Sequence, residues 1–514
     1  MVSSAILSTQ RLSLADYAPS SNDEVGYYLQ TNAFVHKGFA GGYFTICEKQ
    51  ARARFSHFGV HGPLFPMLYG LVGKVVGWHL YSGPLFNFAF LTLALITFCL
   101  VLQPTGFQAF LGALFLATYW PLYLSLVSNS QDPIHAAAAI LFGTCFAALL
   151  QHRPVTKTRR FHAAFWLLLL YTSLMRISWA MMLFPYLLLK RPGGSKWGLS
   201  LAVIKGIVCV LALLYVFRWL CAPYPGDDSA FLMNKVIGLE SAAGWEVIIH
   251  GWHNIKCLVM GDVAEFASLP AMLVFYQSLA FGAIMAFLAI REWRADGHSQ
   301  EMVPQPRARP IFRVPLKEAL FHSYNIWALT LAMILFYYVD RNGAWRMFTS
   351  HFLMAALMVI VSDTPGLWLL AALAAGINLA CAIPCLDNVA QVQANRFGHI
   401  QEGRAFARDI EGLIVYEDGA DGWRNTLLTG RYPLCLAGLP PGIGVSICFR
   451  LGDFPQRPKS KYLLVDAAAG PLMPRGKRLR TFPRGGLFGP DSVWVLLENP
   501  LTPVDSREPS PHER

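Results

Sequence analysis

Four short polar clusters interrupt a mostly apolar sequence, and they contain the side chains able to do chemistry. The first is Asn22-Asp23-Glu24-Val25-Gly26-Tyr27-Tyr28, in which adjacent carboxylates precede paired tyrosines. A carboxylate is a side chain that takes a proton from a hydroxyl. The second runs from His57 to Pro66, HFGVHGPLFP, and leads into an apolar segment interrupted by Lys74. The third is Leu174-Met175-Arg176-Ile177-Ser178, a lone guanidinium inside a long apolar stretch, and the fourth is Asp340-Arg341-Asn342-Gly343-Ala344-Trp345-Arg346. Arginine stays charged, and its planar fork bonds two oxygens of an anionic group at once.

Each cluster also has a structural reading. Asp23 and Glu24 are carboxylates of the kind that settle at the positive end of a helix dipole. His61 can satisfy a helix end, and Arg176 can lie along an interface with its charge in water. Against that, a charge inside an apolar run costs about 2.5 to 3.5 kcal/mol on insertion scales, which favours a functional reason for Arg176. Lys74 reads as a snorkelling lysine on a segment, residues 64 to 79, that lies along an interface. Asp132, just before Pro133, reads as an ordinary helix-start residue. His250, Trp252 and His253 read as interfacial anchors, with an acceptor groove as the alternative.

The elements that must position these clusters are membrane spans. Of 514 residues, 54% are hydrophobic and only 14% charged, too few charges to coat a soluble protein of this size. Apolar runs long enough for a hydrocarbon core of about 30 Å recur at residues 83 to 103, 106 to 127, 131 to 151, 199 to 221, 270 to 290, 320 to 339, 346 to 361 and 366 to 384. Residues 161 to 189 form one longer apolar stretch broken by Arg176. Its flanks are both basic, Arg153, Lys157, Arg159 and Arg160 before it and Lys190, Arg191 and Lys196 after it. Both therefore read as cytoplasmic, so the stretch goes in and returns as two short helices with Arg176 near the turn. The same rule places residues 291 to 319 inside, and alternation places residues 1 to 61, 223 to 268, 340 to 345 and the tail outside. An outer N-terminal segment with no apolar span ahead of it carries the expectation of a further span upstream.

After about residue 385 the apolar runs stop. Short β-type pieces, Leu413 to Tyr416, Tyr462 to Val465 and Val493 to Leu497, alternate with Gly and Pro clusters, which predicts a small outer α/β or β-rich domain over residues 386 to 504 and a disordered tail from 505. The fold class is thus mainly α, a polytopic bundle of about ten spans over residues 62 to 385, with an outer N-terminal segment over 1 to 61. Cys435 and Cys448 share the outer domain, where an oxidising compartment permits a disulfide. No cysteine or histidine spacing suggests zinc, and no GxxxxGK loop is present. The net charge of +11 belongs largely to cytoplasmic loops beside anionic lipid, so nucleic acid is not an expected partner.

The order of these parts resembles the polytopic glycosyltransferases of the GT-C superfamily, above all the bacterial branch of aminoarabinose and mannosyl transferases. In that family an acidic pair, often followed by a tyrosine, lies in the first outer loop, as in SNDEVGYY. About forty residues on comes a stretch of the form HPPLYP, matched by His61-Gly62-Pro63-Leu64-Phe65-Pro66 except that Gly62 replaces the first proline. A short hairpin with a basic residue at its turn follows, matched by Arg176, and then an arginine-rich outer turn before a late span, matched by Arg341 and Arg346. The departure from the pattern is the first family span, which does not precede the acidic pair here.

The resemblance implies transfer of a monosaccharide, hexose or pentose, from a polyprenyl-phosphate donor to an envelope glycan, lipid or protein acceptor, with inversion, on the outer face of a bacterial inner membrane. It gives Asp23 the role of general base with Glu24 as support, and gives the donor phosphate to Arg176, Arg341 and Arg346, with Arg54 and His61 beside them. It implies no nucleotide or other cofactor, and the lack of a DxD pair in the outer N-terminal segment implies no metal. Two other classes share some of these features. A polysaccharide polymerase or ligase would use lipid-linked glycans and a large outer loop such as residues 223 to 268. A transporter would also carry intramembrane charges, though with internal pseudo-repeats that are not evident in this sequence.

Overall fold

A computed structural model of the chain describes residues 16–19, 22–40, 44–49, 53, 58, 62–190, 196–222, 243–260, 269–298, 314–336, 339, 345–398, 400–419, 422–429, 439–448, 454–467, 476–482 and 493–499. Arg54, His61, Arg341 and Cys435 lie outside the described residues, as does the tail from 505. The chain divides into two compact units.

The first unit, Gly83–Phe217 with Gly226–Ala394, is a helix bundle. In this chain α1 (Asn22–Lys37) and α2 (Leu64–Val76) precede it. The bundle helices are α3 (Ser82–Leu102), α4 (Gly106–Thr118), α5 (Trp120–Leu126), α6 (Asp132–Leu150), α7 (Arg159–Met175), α8 (Leu183–Leu189), α9 (Lys196–Leu220), α10 (Ala243–Met260), α11 (Leu269–His298), α12 (Leu316–Phe336), α13 (Trp345–Ile360), α14 (Pro365–Ala380) and α15 (Ala382–Gly398). Four of these are long and apolar enough to cross a membrane, over Ser82–Leu102, Asp132–Leu150, Trp197–Leu220 and Met272–Ala295. The run expected to span at 106 to 127 forms the bent pair α4 and α5, turned through 60°, which is long and apolar enough to cross when taken as one broken span, with Pro121 in the first turn of the second helix. The runs expected to span at 320 to 339 and 346 to 361 form helices α12 and α13, of 21 and 16 residues, neither of which is among those four.

What faces outward identifies the solvent. Leu201, Ile204, Ile207, Val208 and Leu211 of α9 are exposed, as are Leu93, Ile96 and Leu100 of α3. Water does not tolerate such continuous apolar surface, and lipid does. The chain is a multi-pass membrane protein.

Inside the bundle, small residues set the spacing, because lipid gives no hydrophobic drive between helices and association rests on close packing. The alanine-rich face of α6 carries Gly143 against α13, where an added Cβ would meet Met354 at 3.5 Å. Gly282 of α11 lies so close to α12 that a Cβ there would stand 2.8 Å from Ile326 Cγ2. The stretch at 161 to 189 does double back. Phe165 of α7 stacks on Tyr186 of α8 with ring centroids 3.9 Å apart, and His162 meets the Tyr186 hydroxyl at 3.0 Å and Lys190 Nζ at 2.8 Å.

The second unit comprises Ala15–Ser82, Arg218–Pro225 and Asn395–Arg514. Its described elements are α1, α2, α16 (Ile400–Ile410) and a mixed sheet of six strands, β1 (Phe44–Ile46), β2 (Thr426–Thr429), β3 (Gly444–Ile447), β4 (Tyr462–Asp466), β5 (Lys477–Phe482) and β6 (Trp494–Glu498), in the order β1-β3-β2-β4-β6-β5. β1, β3, β2 and β4 are parallel, β6 runs antiparallel to β4, and the edge strand β5 runs antiparallel to β6. Every residue of β2 and β3 is buried, as parallel strands covered on both faces require. Leu428, Leu463, Val465, Val495 and Leu497 form the core.

Two features depart from the sequence reading. Leu413 to Tyr416 is not a strand, because the Val415 N–H donates to the Tyr462 hydroxyl at 3.1 Å in place of a sheet partner. The sheet also takes an edge strand, β1, from the N-terminal segment. A buried carboxylate fastens it there: Glu48 accepts from Lys459 N at 2.8 Å, Ser460 N at 2.8 Å and Ser460 Oγ at 2.6 Å. Thr45 Oγ1 reaches Ser446 Oγ at 3.0 Å, and Lys37 pairs with Asp418 at 2.7 Å. Cys448 is buried just past β3, its N–H donating to Thr429 O.

Candidate functional site: an arginine at the break of an apolar hairpin

The bundle positions Arg176 by stopping a helix short. α7 opens with the Thr158 side chain accepting from Phe161 N, and it runs until Arg176 turns to an extended conformation, φ −147° and ψ 108°, with its N–H still bonded to Thr172 O at 2.8 Å. A tight 3-10 turn over Ile177–Met182 then carries the chain back into α8. Trp179 anchors this turn. Its ring lies between Phe142, 4.9 Å away, and His351, 4.6 Å away, and its indole N–H donates to His135 Nδ1 at 3.0 Å. His351 is held in turn by Asn325, whose Oδ1 lies 2.7 Å from His351 Nδ1, and Tyr324 donates to Met181 O at 3.0 Å. Helices α6, α12 and α13 thus all grip the segment that presents the guanidinium.

Arg176 Nη2 pairs with Asp132 Oδ1 at 2.8 Å, both side chains being about one-fifth exposed. The reading of Asp132 as an ordinary helix-start residue is therefore incomplete. It does open α6, where Pro133 suits a first turn that has no N–H partner to lose and the helix dipole favours a carboxylate, and from there it also holds Arg176. The pair uses only one side of the fork. Arg176 Nη1 is buried with no hydrogen-bond partner among the described residues, and so are Gln131 Nε2, Ser173 Oγ and Ser178 Oγ. Buried polar atoms are satisfied in the great majority of cases, so four such atoms within three residues of one ion pair single out this place in the bundle. Chemically it offers a cation and neutral donors at the start of a helix, which suits an anionic oxygen.

The other sequence candidates are placed as follows. Asp23 and Glu24 form the first turn of α1, with His36 and Lys37 in its last, the arrangement a helix dipole favours. Asp23 is exposed and Glu24 is 1% exposed. The paired tyrosines pack inward, Tyr27 against Phe65 at 4.7 Å and Tyr28 against Trp78 at 5.9 Å, and burial pushes the Tyr28 phenol up to about 12. Gly62 has φ +69°, a conformation closed to proline. Arg346 is exposed in the first turn of α13. Lys74 Nζ lies over the Phe34 ring at 4.9 Å. In α10, His250 is buried against Asn254 at 2.9 Å, and Asn254 also donates to Ile334 O of α12, so this histidine belongs to packing, while Trp252 is exposed.

Sequence reading missed Gln131, His135, Trp179, Asn325 and His351, because nothing in their local spacing ties together residues up to 220 positions apart. One signal was present: Asp132 and Arg176 are opposite charges at apolar-run ends that the charge rule had put on the same face.

The fold and the site define a multi-pass membrane protein with a half-used arginine at a re-entrant turn. No protein-family model matches the chain, and no curated protein matches it. Two solved structures are similar to it, crystal structures of ArnT from Cupriavidus metallidurans in the apo state and bound to undecaprenyl phosphate. They share 12% and 13% of aligned residues with it, over 96% of this chain and 96% of theirs, with TM-scores of 0.40 and 0.39.

Proposed function

We propose that this chain is a membrane glycosyltransferase that takes a monosaccharide from a polyprenyl-phosphate donor and transfers it, with inversion, to an acceptor on the extracytoplasmic side of a bacterial inner membrane. The observation that carries the reading is Arg176, fixed at the turn of a short apolar hairpin with one guanidinium nitrogen on Asp132 and the other buried and unpartnered among the described residues. A buried N–H left without an acceptor costs about 1 to 3 kcal/mol, and an anionic oxygen from a ligand would satisfy it beside the Asp132 pair. A lipid phosphate would supply such an oxygen.

In the reaction an acceptor hydroxyl oxygen attacks the anomeric carbon as the bond from that carbon to the phosphate oxygen breaks. The hydroxyl proton passes to Asp23, with Glu24 in support, and polyprenyl phosphate leaves with its charge held by Arg176, assisted by Arg346, Arg341, Arg54 and His61. The test is binding and turnover with purified full-length protein. Arg176→Gln keeps a polar side chain but loses the charge, and binding of a polyprenyl monophosphate should weaken by about 1.5 to 3 kcal/mol. Unchanged affinity would remove the anchor on which this reading rests.

One observation speaks for the transporter reading. Glu318, His322 and Asn325 of α12 recur at i, i+4 and i+7 and are all buried, which is the kind of row a proton-coupled carrier uses. Proteoliposomes that take up solute in response to a proton gradient, with no glycosyl transfer, would favour it.

A further inference from the structure

The hydrogen bonds around Trp179 fix more than the hairpin turn. An indole N–H can only donate, so the atom that receives it, His135 Nδ1 at 3.0 Å, carries no proton. The neutral ring then has its proton on Nε2. That nitrogen faces Gln131 Oε1 at 3.4 Å, four residues earlier and just ahead of α6, and donates to it. The Gln131 amide is thereby oriented, since its oxygen is engaged by His135 and its NH2 must point the other way. Gln131 is 4% exposed, His135 0% and Trp179 1%, so water does not compete for these bonds. The Gln131 Nε2 that results is buried and has no partner among the described residues, and Gln131 is the N-cap residue immediately before Asp132, the partner of Arg176. Its side chain does not cap the helix it precedes.

We infer that Gln131 is a second ligand of the lipid phosphate, a neutral donor beside Arg176, and that Trp179 and His135 are positioning residues that hold its amide in the donating orientation by fixing the histidine tautomer. This rests on the reading of Arg176 as the phosphate anchor. The chemistry suits the place, because a second cation there would have to be desolvated next to the first, whereas an amide adds a hydrogen bond without adding charge.

The experiment uses the full-length protein in detergent with a polyprenyl monophosphate as probe, and the corresponding polyprenol and inorganic phosphate as controls that separate the tail from the headgroup. Gln131→Met keeps the size and removes the donor, and affinity should fall roughly ten- to a hundredfold. Gln131→Glu puts a negative oxygen in the same place and should fall further. Trp179→Phe should weaken binding less than either, while the ¹⁵N signals of His135 change from the Nε2-protonated form to a mixture, a readout that mere packing would not move. In the unsubstituted protein, which needs no variant to fold, the Gln131 side-chain amide signal should shift on adding the phosphate lipid and not on adding the polyprenol. Wild-type affinity in Gln131→Met, or an amide signal that ignores the phosphate, overturns the inference. If Arg176→Gln loses binding in that same series, the anchor reading survives without Gln131; if Arg176→Gln also binds normally, both fall.

Discussion

Asp132→Asn should tighten the binding of a polyprenyl phosphate, although it breaks an ion pair in the site. The Asp132 carboxylate stands 2.8 Å from Arg176 Nη2. A phosphate oxygen bonded to Nη1 at about 2.8 Å would place two negative charges roughly 6.5 Å apart. At an effective dielectric of about 20 their repulsion is about 2.5 kcal/mol. Asparagine keeps an oxygen in the same position, so the guanidinium remains aligned by a neutral hydrogen bond, and weakening that tie costs about 1 kcal/mol. The difference, about 1.5 kcal/mol, corresponds to roughly tenfold tighter binding. The assay is a titration of purified full-length protein with a polyprenyl monophosphate at two ionic strengths, and because the pair is only part-buried the gain should shrink as salt rises. A tenfold or greater loss of affinity would refute the reasoning, since it would mean that Asp132 matters for aiming Arg176 more than it opposes the ligand.

Asp23→Asn should lower turnover by about 10² to 10⁴ with donor affinity unchanged, because the amide keeps the shape and loses the basic oxygen; steady-state rates beside the binding titration decide this. Arg346→Ala should do the reverse, weakening donor binding by about 1.5 to 3 kcal/mol, and an unaltered dissociation constant would take Arg346 out of the site. Glu48→Gln offers one oxygen where the carboxylate offered two, so at least one of the N–H groups of Lys459 and Ser460 loses its acceptor. At about 1 to 3 kcal/mol, this should raise the open, cleavable population of the sheet roughly five- to 150-fold, measured by brief proteolysis of the folded protein, and cleavage at the wild-type rate would show that β1 is held by other contacts. His322→Leu removes a buried ring whose two nitrogens have no partner among the described residues, at the loss of edge contacts to Phe281 and Phe321. Thermal stability in detergent should hold or rise, and a clear fall would mean that the imidazole is bonded in the membrane-embedded protein.

Much of the fold was legible in one dimension because the bilayer imposes one-dimensional rules. Apolar length marks α3, α6, α9 and α11, and the basic flanks of residues 161 to 189, read as lying on one face, predict the hairpin that α7 and α8 form. Chain chemistry also made the sheet readable where its strands are buried, as at Tyr462 to Val465 and Val493 to Leu497. It failed at Leu413 to Tyr416, where a single hydroxyl from β4 captures the backbone, and at Phe44–Ile46, whose place in the sheet depends on Glu48 finding the backbone of residues 459 and 460. Residue type and position alone also singled out Arg176, because an unexplained charge in an apolar run is costly wherever it ends up. What only the tertiary structure decided is how that charge is satisfied. The carboxylate of Asp132 comes from a helix start 44 residues away, the ring stack on Trp179 comes from α6 and α13, and the orientation of the Gln131 amide depends on which nitrogen of His135 an indole touches. Hydrogen bonds and ring contacts act over about 3 to 5 Å in space and leave no mark on sequence spacing, so the sequence determined that a buried arginine needs partners and the packing determined which.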